Sequence, residues 1–281
     1  MVLTSTSAGG YYSSTDDLLA FASGILGNKA LCPVKTRKWL KPQTSTSAPG
    51  FALGHVWEIY RSDNLTSDGR LVEIYTKSGD IGNYHSMTVL IPDYDVTAAI
   101  ILGGNETFFM AQEFLSLVVT RLLPGLEAAG KDESKANFVG TYYDAKSNST
   151  FKLALDDGPG LVVQNWTVRG VNVLARYQSF SPLSSASGPP KTASARLYPT
   201  ILQSATQQSW RTVFDTSTPA ERKAMDGSVF WAGGSCLTWA ALDRTSYQYK
   251  GLDEVVFTLK NGSATSLLPR AFQVDIPRTG N

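Results

Sequence analysis

Lys77, Ser78 and Gly79 follow one another at the end of an alternating segment, and His85 stands six positions beyond Gly79. A lysine ammonium can hold a polar substrate group or act as an acid, and an imidazole exchanges protons near neutral pH. Tyr75 lies in phase with Lys77, so Lys77, His85 and Tyr75 are the candidate catalytic residues. Ser78, Gly79 and Tyr84 surround them as candidate substrate contacts. Two short segments with one pattern, Trp57-Glu-Ile-Tyr60 and Val72-Glu-Ile-Tyr75, add Glu58, Tyr60 and Glu73. If these segments pair, Glu58, Tyr60, Glu73 and Tyr75 share a face with Lys77. Tyr11 and Tyr12 flank a helix start and complete the set. Blander readings stand beside each of these: a solvated lysine, a structural histidine, a solvated sheet face and ordinary tyrosine packing. His55 is a weaker candidate for proton exchange. Two histidines with no Cys or Asp at ligand spacing argue against a zinc site, and no metal or cofactor is called for.

The elements that would position these groups fall into two textures. Up to about residue 132, helices and strands alternate. Ser14 can cap a helix in which Leu18, Ala22, Ile25 and Leu26 share one face and Gly27 supplies the stop. Lys41 to Gly50 reads as a surface loop. Ser67-Asp-Gly-Arg70 turns the chain between the two repeated segments, and further strands at Tyr84 to Ile91 and Thr97 to Leu102 flank a turn at Pro92-Asp-Tyr-Asp95. A helix from about Glu106 to Leu123, capped by Asn105, is ended by Pro124. The polar run Lys131 to Lys135 marks a domain boundary, giving domains at 1–134 and 135–281.

Beyond that boundary the chain reads as strands without helices, at 138–143, 151–155, 161–168, 171–177, 195–202, 210–214, 236–242, 254–259 and 265–273. Some eight or nine short strands point to a closed antiparallel barrel, which removes exposed sheet edges. Trp166, Trp210, Trp231 and Trp239 are its expected core aromatics. Ser181 to Ala193, rich in Ser and Pro, reads as a long loop. The fold class is therefore α+β: an antiparallel sheet with flanking helices, then an all-β barrel.

Composition narrows the partners. Of 281 residues, 42% are hydrophobic and 17% charged, with 25 cationic against 24 acidic side chains. No basic stripe points to nucleic acid or an anionic membrane, and Phe114 to Leu123 reads as a packed helix rather than a span. A small apolar metabolite fits this balance best. Cys32 and Cys236 are too few for a disulfide framework and read as buried free thiols. Five of the ten asparagines, Asn64, Asn105, Asn148, Asn165 and Asn261, begin an Asn-x-Ser/Thr sequon, against about two by chance. That excess hints at a secreted ancestor. The first residues lack the pattern of a signal peptide, so the chain as written reads as cytoplasmic, and as secreted if it derives from a longer precursor.

Four segments carry a resemblance. Gly9-Gly-Tyr-Tyr-Ser-Ser-Thr-Asp-Asp-Leu-Leu19 resembles the helix-opening segment of class C β-lactamase-like and penicillin-binding-protein-related enzymes. Gly54-His-Val-Trp-Glu-Ile59 is similar to the Gly-x-Gly-Trp strand that follows there, with Val56 in place of the second Gly. Lys77-Ser-Gly79 resembles the family's Lys-Thr-Gly triplet, and Gly82-Asn-Tyr-His-Ser86 with Pro92-Asp93 resembles a later strand of the same sheet. Gly140-Thr-Tyr142, Ser235-Cys-Leu-Thr-Trp239 and Asp253-Glu-Val-Val-Phe257 are similar to the lipocalin-like domain attached to some fungal members.

The resemblance implies a substrate-side strand in which Lys77 attracts an acidic or polar group and the backbone contributes to oxyanion binding. It also implies a Ser-x-x-Lys helix and a Tyr-x-Asn loop before the Gly-Gly-Tyr segment, and neither has an equivalent here. Three functions are consistent with this. One is a natural-product enzyme that binds its metabolite between sheet and barrel and promotes cyclisation, pericyclic closure or isomerisation without an acyl-enzyme. Another is the C-terminal part of a serine hydrolase or acyltransferase, and the last is a non-catalytic small-molecule binder. A sheet face left open by the missing part is expected to be covered by the barrel, a ligand or a second copy in a homodimer.

Overall fold

The computed structural model describes residues 9–105, 108–180, 191–230 and 234–280, which divide into two compact units, Met1–Ala129 and Gly130–Asn281. The division falls within one helix. The expected loop over Ser181 to Ala193 lies largely outside the described residues, as does Trp231.

The first unit opens with α1 (Thr15–Leu26), whose N-terminus is fixed by Ser14 accepting the Asp17 N–H at 3.2 Å. A short α2 (Pro33–Trp39) follows, with Pro at its first position, where the missing N–H costs nothing. Six strands then form an antiparallel meander in chain order: β1 (Thr44–Ser45), β2 (Phe51–Leu53), β3 (Glu58–Ser62), β4 (Val72–Ile81), β5 (Tyr84–Ile91) and β6 (Val96–Gly103). α3 (Phe108–Asn137) comes next.

This sheet is a middle layer. On one face Ala22 and Ile25 of α1 pack with Trp57, Ile59, Tyr75 and Leu90. On the other, Leu115, Val119 and Leu123 of α3 pack with Val72, Met87, Val89 and Ile91. Because both faces are covered, β4 does not alternate cleanly between core and solvent. Tyr75 and Thr76 are neighbours and both are buried.

That layering overturns the expected common face. Glu58 lies opposite Thr76, Ile59 opposite Tyr75 and Tyr60 opposite Ile74. Directly paired residues share a face, so Glu58 and Tyr60 lie on the α3 side while Glu73, Tyr75 and Lys77 lie on the α1 side. The two repeated segments are one residue out of phase with the pairing their likeness suggests.

α3 also differs from expectation, continuing through Pro124 and the polar run to Asn137. Proline removes one intrahelical hydrogen bond there. Two things offset the loss: strong helix formers follow at Leu126, Glu127, Ala128 and Ala129, and the helix is anchored on both sides of the proline. Leu123 is fully buried before it, and Glu127 accepts from Tyr94 Oη at 2.6 Å and pairs with Arg70 after it. Asn105 itself is exposed, and the helix is described from Phe108, so the expected cap falls against residues outside the described ones. A second line of apolar residues on α3, Phe114, Leu117, Val118 and Leu122, is exposed. The helix is long and apolar enough to cross a membrane by length and composition, with a mean hydropathy of 1.2 over its best window.

The second unit is a barrel. Its strands are β7 (Gly140–Asp144), β8 (Ser149–Ala154), β9 (Leu161–Val168), β10 (Val171–Asn172), β11 (Ser194–Gln203), β12 (Gln207–Asp215), β13 (Ser246–Tyr247), β14 (Lys250–Gly251), β15 (Glu254–Lys260), β16 (Ser263–Pro269) and β17 (Ile276–Gly280). Eight of them close a ring in the order β8, β9, β11, β12, β15, β16, β17, β7 and back to β8. β10 is a short addition to β9, and β13 and β14 form a separate two-stranded sheet.

Side chains fill the ring. Trp166, Tyr142, Phe151, Phe257, Leu153 and Leu267 are each no more than 1% exposed. The Trp166 ring lies 4.8 Å from Phe151 and 5.7 Å from Phe214 between centroids. Arg278 of β17 donates to the carbonyl oxygens of Ala136, Asn137 and Val139, satisfying acceptors at the C-terminus of α3.

Helices interrupt the expected run of strands. Residues 173–180 form α4 (Val173–Phe180), and α5 (Pro219–Asp226) carries a capping box between Thr218 and Glu221. Residues 236–242, expected as a strand, belong mostly to a 3₁₀ segment, Gly234–Ala241. Trp239 is 46% exposed there rather than in the core, although its ring meets Tyr198 at 4.5 Å. Cys32 and Cys236 are also exposed, the first at the start of α2 and the second in the 3₁₀ segment.

Candidate active-site strand and an adjacent cavity

Antiparallel pairing of β3 with β4 begins at Glu58 and Thr76, so the side chains beside that pair meet at the strand end. Glu58 gathers them. Lys77 Nζ donates to Glu58 Oε1 at 2.7 Å, and Ser78 Oγ donates to the same oxygen at 2.7 Å. Thr76 Oγ1 donates to the Glu58 carbonyl at 2.9 Å. Lys77 also donates to the Ser78 carbonyl at 3.0 Å, and half of its side chain remains exposed. The result is an oriented ammonium held by a carboxylate and open to solvent. Such a group can meet an anionic or strongly polar substrate atom without first paying the full cost of ordering a free lysine side chain. Gly79 follows, and a Cβ there would come within 2.7 Å of Ser86 Oγ on the neighbouring strand.

Tyr75 and Glu73 form a separate group. Tyr75 Oη donates to Glu73 Oε2 at 2.8 Å, and Arg61 Nε donates to Glu73 Oε1 at 3.1 Å. Burial, reinforced by the Glu73 carboxylate, pushes the Tyr75 phenol well above its ordinary range. Tyr75 is thus a buried neutral donor, with its proton committed to Glu73.

His85 sits opposite Asp80 and is 6% exposed, with Nδ1 2.9 Å from Asp80 Oδ1. That contact is close in distance but lacks hydrogen-bond geometry, leaving Nδ1 without a partner. By strand alternation His85 and Lys77 lie on opposite faces of the sheet. Tyr84 is exposed at the β4–β5 hairpin, and Tyr11 and Tyr12 are about 90% exposed. His55 is exposed as well. Among the described residues no group of three or more His, Cys, Asp and Glu could hold a metal ion.

Tyr60 belongs to a different feature. Between α3 and the β3–β4 side of the sheet lies an open cavity of about 450 Å³. Its apolar wall includes Ile74, Met87, Val89, Leu115 and Val119, and Tyr60, Gln112, Ser116 and Thr120 supply polar groups. Gln112 Nε2 lies 3.4 Å from Tyr60 Oη, and burial followed by the nearby Glu58 charge raises the Tyr60 phenol above its ordinary value. The volume and mixed lining are those of a small-molecule site. Sequence reading missed the α3 residues. Their signal is Gln112, Ser116 and Thr120 at four-residue intervals, a polar stripe beside the buried stripe of Ala111, Leu115, Val119 and Leu123.

The 281 residues contain one Ser-x-x-Lys spacing, Ser149 to Lys152. It lies on β8, where alternation sends the two side chains to opposite faces; Ser149 is buried and Lys152 exposed. A nucleophile and its base need hydrogen-bond reach of each other, which a helix provides at this spacing and a strand does not.

Comparison with known proteins places this geometry. A "Beta-lactamase-like protein" of Arthroderma benhamiae is 25% identical over 288 residues, covering 96% of this chain and 47% of that protein. A "Probable hydrolase M10" of a Phoma species is 22% identical, over 96% of this chain and 45% of its own length. A "Probable hydrolase clz13" of Cochliobolus lunatus is 23% identical, over 96% and 44%. The chain thus spans a little under half the length of these relatives. Residues 130–280 match the family model described as "Beta-lactamase-like-like, C-terminal domain". With more than half of its length in that match, the chain belongs to the β-lactamase-like family.

Proposed function

We propose that the first unit supplies the substrate-side wall of a β-lactamase-like hydrolase, with the Lys77 ammonium as the cation that meets an acidic or polar substrate group. The observation that carries this reading is the half-exposed Lys77 held by Glu58 beside Ser78 and Gly79. The hydrolase names of the Phoma and Cochliobolus relatives support it. In this reading the acyl-accepting serine comes from residues outside the 281, because Ser149 and Lys152 are split across a barrel strand.

The gene read upstream, and the longer chain expressed, gives the test. A product carrying an in-frame Ser-x-x-Lys is expected to hydrolyse ester or amide probes and to be labelled by a fluorophosphonate at that serine. Lys77→Ala is expected to lower its kcat/KM by about 10- to 100-fold, the worth of one charged hydrogen bond. Upstream codons without such a motif, or an unchanged kcat/KM in the variant, would remove Lys77 from the mechanism.

The cavity beside α3 favours a second reading, in which a small apolar metabolite is bound and converted by shape and acid–base assistance alone, as in cyclisation, pericyclic closure or isomerisation. Here the 281-residue chain acts by itself. Incubation with candidate metabolites, followed by mass spectrometry, is expected to show an isomeric product. Val119→Trp, which fills the cavity, is expected to abolish that product while Lys77→Ala leaves it. Thermal stabilisation by a metabolite without product would identify a binding protein instead.

A further inference from the structure

The five sequons are not used by either reading, and the structure shows where they lie. Asn64, Asn105, Asn148, Asn165 and Asn261 are all exposed; of the described asparagines that begin no sequon, Asn83 and Asn172 are exposed and Asn28 and Asn137 partly covered. Asn148 and Asn261 occupy the tips of the β7–β8 and β15–β16 hairpins, with φ of 48° and 52°. In this left-handed conformation asparagine is among the few tolerated side chains, and it turns the chain outward at the tip. Gly170 stands beside Asn148, where a Cβ would come within 3.0 Å of Asn148 Nδ2. Asn165 is on β9, where Trp166 points into the filled core and Asn165 therefore points out. Its Oδ1 accepts the hydroxyl proton of Thr167, the third sequon residue, at 3.0 Å.

We propose that Asn148, Asn165 and Asn261 carry N-linked oligosaccharides on the outside of the barrel. The donor class is a lipid-linked oligosaccharide diphosphate. The asparagine Nδ2 forms a bond to the anomeric carbon, the bond from that carbon to the diphosphate oxygen breaks, the amide proton passes to a base, and the lipid diphosphate leaves. No oxidant or reductant is needed. The number of sequons and their exposure are independent observations. About two sequons are expected from the Ser and Thr content, and a sequon arising in the core would carry an asparagine that no glycan could occupy. Because this transfer takes place in the secretory pathway, occupied sites place the protein there.

The test is mass spectrometry of the protein purified from its own source, after release of N-glycans by an amidase in ¹⁸O water. Conversion of Asn148, Asn165 and Asn261 to ¹⁸O-labelled aspartate is the expected result. Unmodified asparagine at all three positions in the native protein overturns the proposal. Thr150→Ala destroys the Asn148 sequon without disturbing the left-handed residue, and is expected to remove one step from the electrophoretic ladder of partly deglycosylated protein. A ladder unchanged by Thr150→Ala removes Asn148 from the set.

Discussion

Replacing Trp166 by alanine is expected to cost the barrel about 3–5 kcal/mol, the range for removing a large aromatic from a packed core. The Trp166 side chain is fully buried and its ring contacts Phe151, Phe214 and Phe272, with centroid distances of 4.8, 5.7 and 6.2 Å. Phe151 is fixed on β8 as the direct partner of Trp166, Phe214 is fixed on β12 and Phe272 lies in the connection between β16 and β17, so the three rings stay anchored around the space left behind. A domain of ordinary stability, about 5–15 kcal/mol, would lose a fifth or more of it. Denaturant titration followed by near-ultraviolet circular dichroism measures the change. Trp166→Phe keeps a ring in the site and removes the buried Nε1 proton, which has no acceptor. It is expected to cost clearly less than the alanine variant. Equal costs for the two would mean that ring packing is not what the site contributes.

Gly140→Ala is expected to be nearly as damaging, for a backbone reason. Gly140 has φ of +144°, a region open essentially to glycine alone, and an added Cβ would lie 2.3 Å from the Gly280 carbonyl oxygen. That oxygen belongs to β17, which among the described residues pairs with β7 through Arg278 with Tyr142 and Gly280 with Thr141. The strain cannot be relieved without parting the seam. A loss of about 3 kcal/mol is expected, combining disfavoured φ with the clash. Gly280→Ala is the control, since its added Cβ meets nothing within 4 Å. A Gly140→Ala protein with an unchanged denaturation midpoint would show that β7 and β17 are not tightly closed there.

Local chemistry made parts of this fold legible. The Ser14 cap and Gly27 stop define α1 because both act on backbone groups within a turn of the helix. Pro92 to Asp95 marks the β5–β6 connection because proline and a left-handed Asp95 leave few other conformations. What escaped sequence reading depends on partners distant in the chain. Pro124 reads as a helix end until Leu123 and Glu127 are seen to be held by the sheet and by Arg70 and Tyr94. Residues 171–177 alternate plausibly as a strand, and Val171 and Asn172 do pair with β9, but the chain then turns into α4, which buries Val173 and Leu174.

The candidate site shows the same division. Lys77-Ser78-Gly79 was legible as part of a strand from residue type and order, but β4 does not end there and continues, paired with β5, to Ile81. The Lys77 partner Glu58 was named too, but on the wrong face relative to Tyr75 and Glu73. Antiparallel registers are set by parity, and one residue more or less in the connection between β3 and β4 exchanges every face. The cavity beside α3 was not legible, because it arises from how far one helix covers a six-stranded sheet.

The seam between β7 and β17 has a consequence for how the barrel forms. Its first and last strands, centred on Tyr142 and Arg278, are neighbours in the ring, so the final pairing joins residues more than a hundred positions apart. During synthesis β7 to β16 can emerge and begin to pair while an edge at β7 still lacks its neighbour. Until β17 arrives, that edge is open to another nascent chain, and the aromatic core is open at the same gap. The interval before β17 takes its place is therefore the one in which this protein is most exposed to aggregation and to chaperone capture.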